Sequence, residues 1–199
     1  MKSSPLTGAA IAGDYTKRLN ATMQAANWDG VARLAEDMRK CWSERRQVFF
    51  CGNGGSAGNA MHMANDFVFG IAKGGGVGLA AVALPSNSSV LTCLANDLGY
   101  DHIYSAQLAV QARPGDLLVV LSGSGNSPNI LLALEKARTM GLKTFAILGY
   151  SGGKAKAMAD EAIHFAVDDM QIAEDLQLVV GHIIMQWLHQ NPPETEERA

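Results

Sequence analysis

Apolar residues along this chain fall into two alternating patterns: short uninterrupted runs, and longer stretches in which they recur every three or four positions. Residues 8–26 and 28–45 show the second pattern, with Leu19, Met23 and Ala26 in one and Val31, Leu34, Ala35, Met38 and Trp42 in the other. This spacing predicts two helices ahead of any strand, the second capped by Asp29. The run at 48–51 predicts a strand, 56–68 a helix, 79–84 a strand and 90–95 a further helical stretch. A helix near 101–112, a strand at 117–121, a helix at 128–140, a strand at 144–148, a short helix at 154–159, a strand at 163–167 and a long helix at 171–190 complete the series. Continuously apolar strands separated by helices predict an α/β domain whose parallel sheet is buried on both faces. Such sheets bind ligands beyond the C-terminal ends of their strands.

Two of those strand ends carry informative loops. The run at 48–51 leads into Gly52-Asn53-Gly54-Gly55-Ser56, and the helix that follows carries His62 and Asp66 one turn apart. A glycine turn lets backbone N–H groups converge on a ligand, and a helix N-terminus adds partial positive charge there, so a phosphate or sugar hydroxyl fits. Four residues along a helix bring two side chains to one face, so His62 and Asp66 can bind one metal ion or one substrate atom together. The run at 117–121 ends in Ser122-Gly123-Ser124-Gly125-Asn126-Ser127, directly before Pro128, a favoured first-turn residue. Hydroxyls and free amides at a helix start neutralise a phosphate without Lys or Arg. Capping alone would explain Ser127 but not Ser122 and Ser124 with the glycines, so the joint pattern points to an uncharged phosphate cradle. A third loop, Pro85-Ser86-Asn87-Ser88-Ser89, could line the same crevice.

Composition narrows the class. A chain of 199 residues with 48% hydrophobic content suits one compact domain with its own core. Net charge is -3 and no dense Lys/Arg cluster occurs, so no nucleic-acid footprint is expected; Glu44-Arg45-Arg46 reads as a solvated helix end. No window approaches about 18 uninterrupted apolar residues, so no membrane span is expected. Met1 to Ala12 does not read as a targeting sequence, because Asp14 interrupts its brief apolar stretch. Cys41, Cys51 and Cys93 form no CxxC and cannot all pair, which predicts reduced thiols in the cytoplasm, with Cys51 and Cys93 as small buried apolar residues. The polar, proline-broken tail at 191–199 reads as a disordered end after an N-terminal helical extension of about 8–45 and a core of about 47–190.

The run GNGGS (52–56), the segment LANDLGYDHIYSAQL (94–108), the loop SGSGNSPN (122–129) and the final helix ending GHIIMQWL (181–188) resemble the sugar isomerase (SIS) domain, specifically its phosphoheptose isomerase branch, over about residues 10–190. That resemblance implies a flavodoxin-like, doubly wound, five-stranded parallel sheet with N-terminal helices that pack in a homotetramer, and sites lying between subunits. It also implies conversion of D-sedoheptulose 7-phosphate to D-glycero-D-manno-heptose 7-phosphate, on the way to heptose precursors. Carried over position by position, it implies phosphate contacts at Ser122, Ser124 and Ser127, and sugar contacts at Asn53, Gly54, Ser56, Asn87, Asn96 and Asp97. It implies a divalent metal, zinc or another such as nickel or manganese, at His62, Asp66, Glu174 and His182. Asp66 and His182 would be the acid/base pair, and Glu174 would also touch substrate. Asp66 and Glu174 stand where the family usually has Glu and Gln. Asn87 replaces an acidic residue, Gly70 a frequent Arg and Gly123 a Thr.

The reaction gives these positions independent sense. Aldose–ketose interconversion moves a proton between neighbouring carbons through an enediol, which a carboxylate and an imidazole poised near neutrality can do. Glu174 and His182 are eight residues apart, roughly 12 Å along a helix, so both grip one ion only if each reaches toward the other. That places Glu174 at the helix start, where the helix dipole favours an acid. Alone in its apolar stretch, His182 would read as a core histidine; His102, His164 and His189 have no partner pattern and read as surface or structural. Three functions follow: a metal-assisted isomerase, acting on sedoheptulose 7-phosphate or on a different sugar phosphate; a non-catalytic SIS protein binding a replication initiator or another partner; and a phosphosugar sensor. The presence of both Asp66 and His182 favours the enzyme.

Overall fold

The short apolar runs become strands of one parallel sheet. A computed structural model describes residues 7–194. Helices α1 (Gly8–Ala25) and α2 (Asp29–Ser43) precede β1 (Gln47–Gly52), α3 (Gly55–Val68), β2 (Ala80–Ala83), α4 (Ser88–Asp97) and α5 (Ser105–Gln111). Then follow β3 (Leu117–Ser122), α6 (Pro128–Thr139), β4 (Lys143–Leu148), α7 (Ala155–Met158), β5 (Glu161–His164) and α8 (Met170–Gln190). The strand order is β2-β1-β3-β4-β5 and every pairing is parallel. Among the described residues no helix is long and apolar enough to cross a membrane.

Side chains alternate between the two faces of a strand, and here both faces are covered, which is why the runs are uninterrupted. Val48, Phe50, Leu117, Val119, Leu121, Phe145 and Ile147 pack against α2, α3 and α8. Phe49, Cys51, Leu118, Val120, Ala146 and Leu148 pack against α5, α6 and α7. The helix after β1 thus lies on one face and the helix after β3 on the other. The ends of these neighbouring strands, Gly52 opposite Leu121, form the switch point at which doubly wound sheets open a crevice. Phe50 stacks on Phe67 with centroids 5.6 Å apart, fixing α3 over the sheet beside that crevice.

Several elements differ from the sequence reading, each for a local reason. The last strand is Glu161–His164 rather than 163–167, because an edge strand needs only one apolar face and admits polar residues such as Glu161. The region read as one helix near 101–112 is a 3₁₀ turn at Tyr100–His102 followed by α5. Asp29 is the first residue of α2 and makes no capping bond; the Asn27 side chain instead accepts from the Asp29 N–H at 2.8 Å. Cys93 is exposed, because α4 buries none of its residues, whereas Cys51 is fully buried as expected and Cys41 is buried too. Residues 191–194 lie beyond α8, and the expectations for Met1–Leu6 and for 195–199 lie outside the described residues. Helix α1 buries no residue either and is tied to α8 by polar contacts: Tyr15 donates to Asp175 at 2.5 Å and Arg18 pairs with Asp169.

Candidate active site

At the end of β1 the chain turns through Gly54, whose φ of 57° and ψ of −121° lie where a side chain is rarely tolerated, and enters α3. Tyr104 donates its hydroxyl to the Gly52 carbonyl and so pins the strand end; burial pushes its pKa well above the usual tyrosine value, keeping the phenol neutral. Burial likewise pushes the Cys51 thiol far up, so this cysteine is chemically inert.

Asn53 and the buried Asn129 of α6 form a reciprocal amide pair at 2.9 and 2.8 Å, and Tyr100 donates to the Asn53 oxygen at 3.1 Å. This ties the loop after β1 to the loop after β3. In the second loop Ser122 Oγ accepts from the Gly125 N–H at 3.0 Å and Ser124 Oγ from the Asn126 N–H at 3.3 Å. Ser127 occupies the cap position of α6 but its side chain makes no capping bond, leaving the hydroxyl and the helix N-terminus to a ligand. The loop is therefore preshaped by its own hydroxyls and carries no cation, as an uncharged phosphate cradle requires.

The second part of the site lies between α3 and α8. His62 and Asp66 share a face of α3, and His182 comes from α8. The helices approach closely at Gly181, where a Cβ would stand 2.9 Å from the Met63 side chain. Polar bonds hold them together one turn earlier: Gln177 donates to Ser56 Oγ at 3.0 Å and accepts from Asn59 at 2.9 Å, while Asn59 also donates to the Glu174 carbonyl at 3.0 Å. The result is a tight group, with His62 Nε2 to His182 Nε2 at 3.0 Å, His62 Nε2 to Asp66 Oδ2 at 3.4 Å and His182 Nε2 to Asp66 Oδ2 at 3.7 Å. Asn65 donates to the other carboxylate oxygen at 3.4 Å, which turns Oδ2 toward the imidazoles. The histidine side chains are 47% and 49% exposed and Asp66 only 18%, so the group opens outward over a shielded acid.

Two nitrogens and a carboxylate oxygen fit a divalent ion of the zinc type with a position left open. Two nitrogens at about 2.05 Å from a tetrahedral ion stand about 3.3 Å apart. The 3.0 Å observed between the imidazoles is close to that.

Glu174 is not part of this group. It lies two turns before His182 on α8, and its carboxylate packs on Gly55 at the start of α3. The expected fourth ligand thus stands apart from the other three here, two turns before His182 on the same helix. Ser56 is 3% exposed, and its hydroxyl accepts from Gln177 across the α3–α8 contact. Asn87 caps α4, accepting from the Val90 N–H at 3.2 Å. Asn96 and Asp97 are exposed at the other end of α4, bonded to each other at 2.7 Å. Sequence reasoning missed Asn129, Tyr100, Asn65, Asn59 and Gln177. Asn129 and Tyr100 lie inside motifs quoted above, but their pairings are tertiary and no spacing announces them.

A parallel sheet with a glycine loop, a serine loop at the switch point and a His-Asp-His group makes an α/β protein with a ligand-binding crevice and a candidate metal centre. The comparisons agree: the sequence model described as SIS domain matches residues 13–149. Phosphoheptose isomerase from Chlorobaculum parvum is 39% identical over 86% of this chain and 83% of its own length, and that from Akkermansia muciniphila is 41% identical over 80% and 82%. The solved phosphoheptose isomerase of Neisseria gonorrhoeae superposes with a TM-score of 0.83 at 30% identity, covering 92% of this chain and 96% of that one. That of Francisella tularensis superposes with a TM-score of 0.86 at 26% identity, covering 93% and 100%. The chain belongs to the SIS domain family and, within it, to the phosphoheptose isomerases.

Proposed function

We propose that this protein interconverts D-sedoheptulose 7-phosphate and D-glycero-D-manno-heptose 7-phosphate. The observation that supports this most is the meeting of His62, Asp66 and His182 beside a phosphate cradle free of cations. In this reading the serine loop and the α6 N-terminus hold the phosphate, and Asn53, its acceptor oxygen taken by Asn129 and Tyr100, offers an N–H to a sugar oxygen. His62, Asp66 and His182 hold a divalent ion, most simply zinc, which when bound would polarise the carbonyl and adjacent hydroxyl of the sugar. Asp66 and His182 face one point and are suited to take a proton from the carbon beside the carbonyl and return it to its neighbour. Glu174, lying against the glycine loop, contacts the sugar and is the candidate for a further ligand to the ion.

A complete site needs further copies of the chain. Helix α1 rests on the core only through the half-buried Tyr15, Leu19 and Met23, Ile11 is 54% exposed, and an apolar groove of about 310 Å³ runs between α2 and α8, lined by Trp28, Ala35, Ile183 and Trp187 among others. Symmetric association as a homotetramer would cover these surfaces and bring the exposed Asn96 and Asp97 to a neighbour's sugar. Three unpaired thiols suit a reducing cytoplasm. Incubating purified protein with sedoheptulose 7-phosphate and following the aldose signal by proton NMR tests the function. Appearance of the heptose 7-phosphate is expected; no turnover, with a second phosphosugar converted instead, would reassign the substrate. The presence of both Asp66 and His182 in one group favours catalysis over a partner-binding role.

A further inference from the structure

The phosphate loop leans on the segment between β4 and α7, residues 149–154, through main-chain contacts. The Gly149 N–H donates to the Gly123 carbonyl at 3.0 Å, the Ala155 N–H to the Gly125 carbonyl at 2.9 Å and the Lys154 N–H to Asn126 Oδ1 at 3.0 Å. No side chain separates the two segments, since a Cβ on Gly125 would stand 2.0 Å from the Gly152 carbonyl oxygen. Displacement of Gly152 is therefore passed to Gly125, whose N–H is bonded to Ser122 Oγ.

The supporting segment is itself held in an unfavourable shape. Tyr150 adopts a left-handed φ of 45°, which costs on the order of 1 kcal/mol or more for a residue with a side chain. His164 of β5 supplies the restraint. Its Nε2 lies 2.9 Å from the Tyr150 carbonyl oxygen and its Nδ1 lies 3.1 Å from Lys156 Nζ of α7. A lysine ammonium can only donate, so Nδ1 accepts, the ring proton sits on Nε2, and that N–H donates to Tyr150. The same two side chains enclose Gly152, where a Cβ would stand 2.8 Å from Lys156 Cδ and 3.3 Å from His164 Cδ2.

We propose that His164, its tautomer set by Lys156, is a positioning residue for phosphate binding: it holds the 149–154 segment against the loop whose N–H and hydroxyl groups meet the phosphate. The proposal rests on the reading of Ser122–Ser127 as the phosphate site.

Three variants of the full chain test it. His164→Ala removes both bonds, His164→Gln keeps a donor toward Tyr150 and an acceptor toward Lys156, and Lys156→Met keeps the stem without the donor. Loss of the restraint in His164→Ala is expected to raise KM for sedoheptulose 7-phosphate and the inhibition constant of inorganic phosphate together, about fivefold to tenfold. In the same variant kcat should change by less than about twofold. Gln should bring both constants back to within about threefold of the parent, and Lys156→Met should give a smaller rise in the same two constants. Unchanged constants in both His164→Ala and Lys156→Met overturn the proposal. So does a fall in melting temperature with KM and kcat moving together and no rescue by Gln. If His164→Ala fails to fold, Lys156→Met decides on the same two constants. Ser124→Ala, measured in parallel, separates the failures. Phosphate inhibition indifferent to Ser124 overturns the phosphate-loop reading and this proposal with it; inhibition that depends on Ser124 but not on His164 or Lys156 overturns this proposal alone.

Discussion

The serine loop at 122–127 and the His62–Asp66–His182 group keep their shapes by different means. The loop is bonded to itself and backed by a second stretch of main chain, with Ser122, Gly123 and Gly125 buried, so several bonds share in holding its shape. The histidine group has no local support for its third member: it exists because α8 comes within contact of α3 at Gly181 and is fastened there through Ser56, Asn59 and Gln177. Substrate anchoring should therefore yield gradually to single changes, each removing one hydrogen bond among several. The chemistry should fail abruptly when one side chain or the helix contact is lost.

The largest effect is expected from His182→Ala, which removes one imidazole donor and one of the two groups proposed as acid and base; kcat should fall by about 100-fold to 10,000-fold in steady-state assays, with the fold retained by circular dichroism. Gly181→Val leaves all three side chains in place but drives a methyl into Met63; zinc affinity, read by competition with a chelator, should drop about 10-fold to 100-fold, a loss typical of disturbed supporting contacts. Ser124→Ala belongs to the gradual class and should raise KM by about threefold to tenfold while kcat stays nearly constant. An equal collapse of kcat in Ser124→Ala would erase the contrast between the two regions.

The smallest effect comes from α1. Burial and the hydrogen bond to Asp175 push the Tyr15 pKa up to about 12 from a usual value of about 10. The folded state thus holds this proton more tightly than the unfolded chain. The contribution is complete below pH 10, and it is lost as pH rises from about 10 to about 12. Stability measured across that window should decline less in Tyr15→Phe than in the parent. At the other end, the Arg18 guanidinium holds the Asp169 carboxyl below the usual carboxylate range, a contribution present at neutral pH and lost only on strong acidification.

Much of the fold was legible because a doubly covered parallel sheet writes itself as uninterrupted apolar runs, and β1, β3 and β4 fall where those runs are. The edge strand β5 is displaced from the apolar run at 163–167 because it begins at the polar Glu161, which the run excludes. Of the site, the glycine and serine loops were visible as clusters of residues that regular structure disfavours, and the His62–Asp66 pair as a helical spacing. The position of Glu174 was not visible. Helix geometry already set it two turns from His182, and only the packing of α8 on α3 shows its carboxylate on Gly55. Gly123, a departure from the family pattern, also has a packing reason, since a Cβ there would meet Met170 Sδ at 2.6 Å. Ser56, a sugar contact by the family resemblance, also fastens the two helices, since its hydroxyl accepts from Gln177.

Three side chains on two helices are thus proposed to make one metal-dependent reaction centre. Its most direct test is to strip the protein with EDTA, titrate zinc back by calorimetry, and measure sedoheptulose 7-phosphate turnover on the same samples, for the parent and His182→Ala. One ion per chain restoring turnover in the parent, with weaker binding and no turnover in the variant, is the predicted result. Full turnover by the stripped parent, or zinc binding that is indifferent to His182, would contradict it.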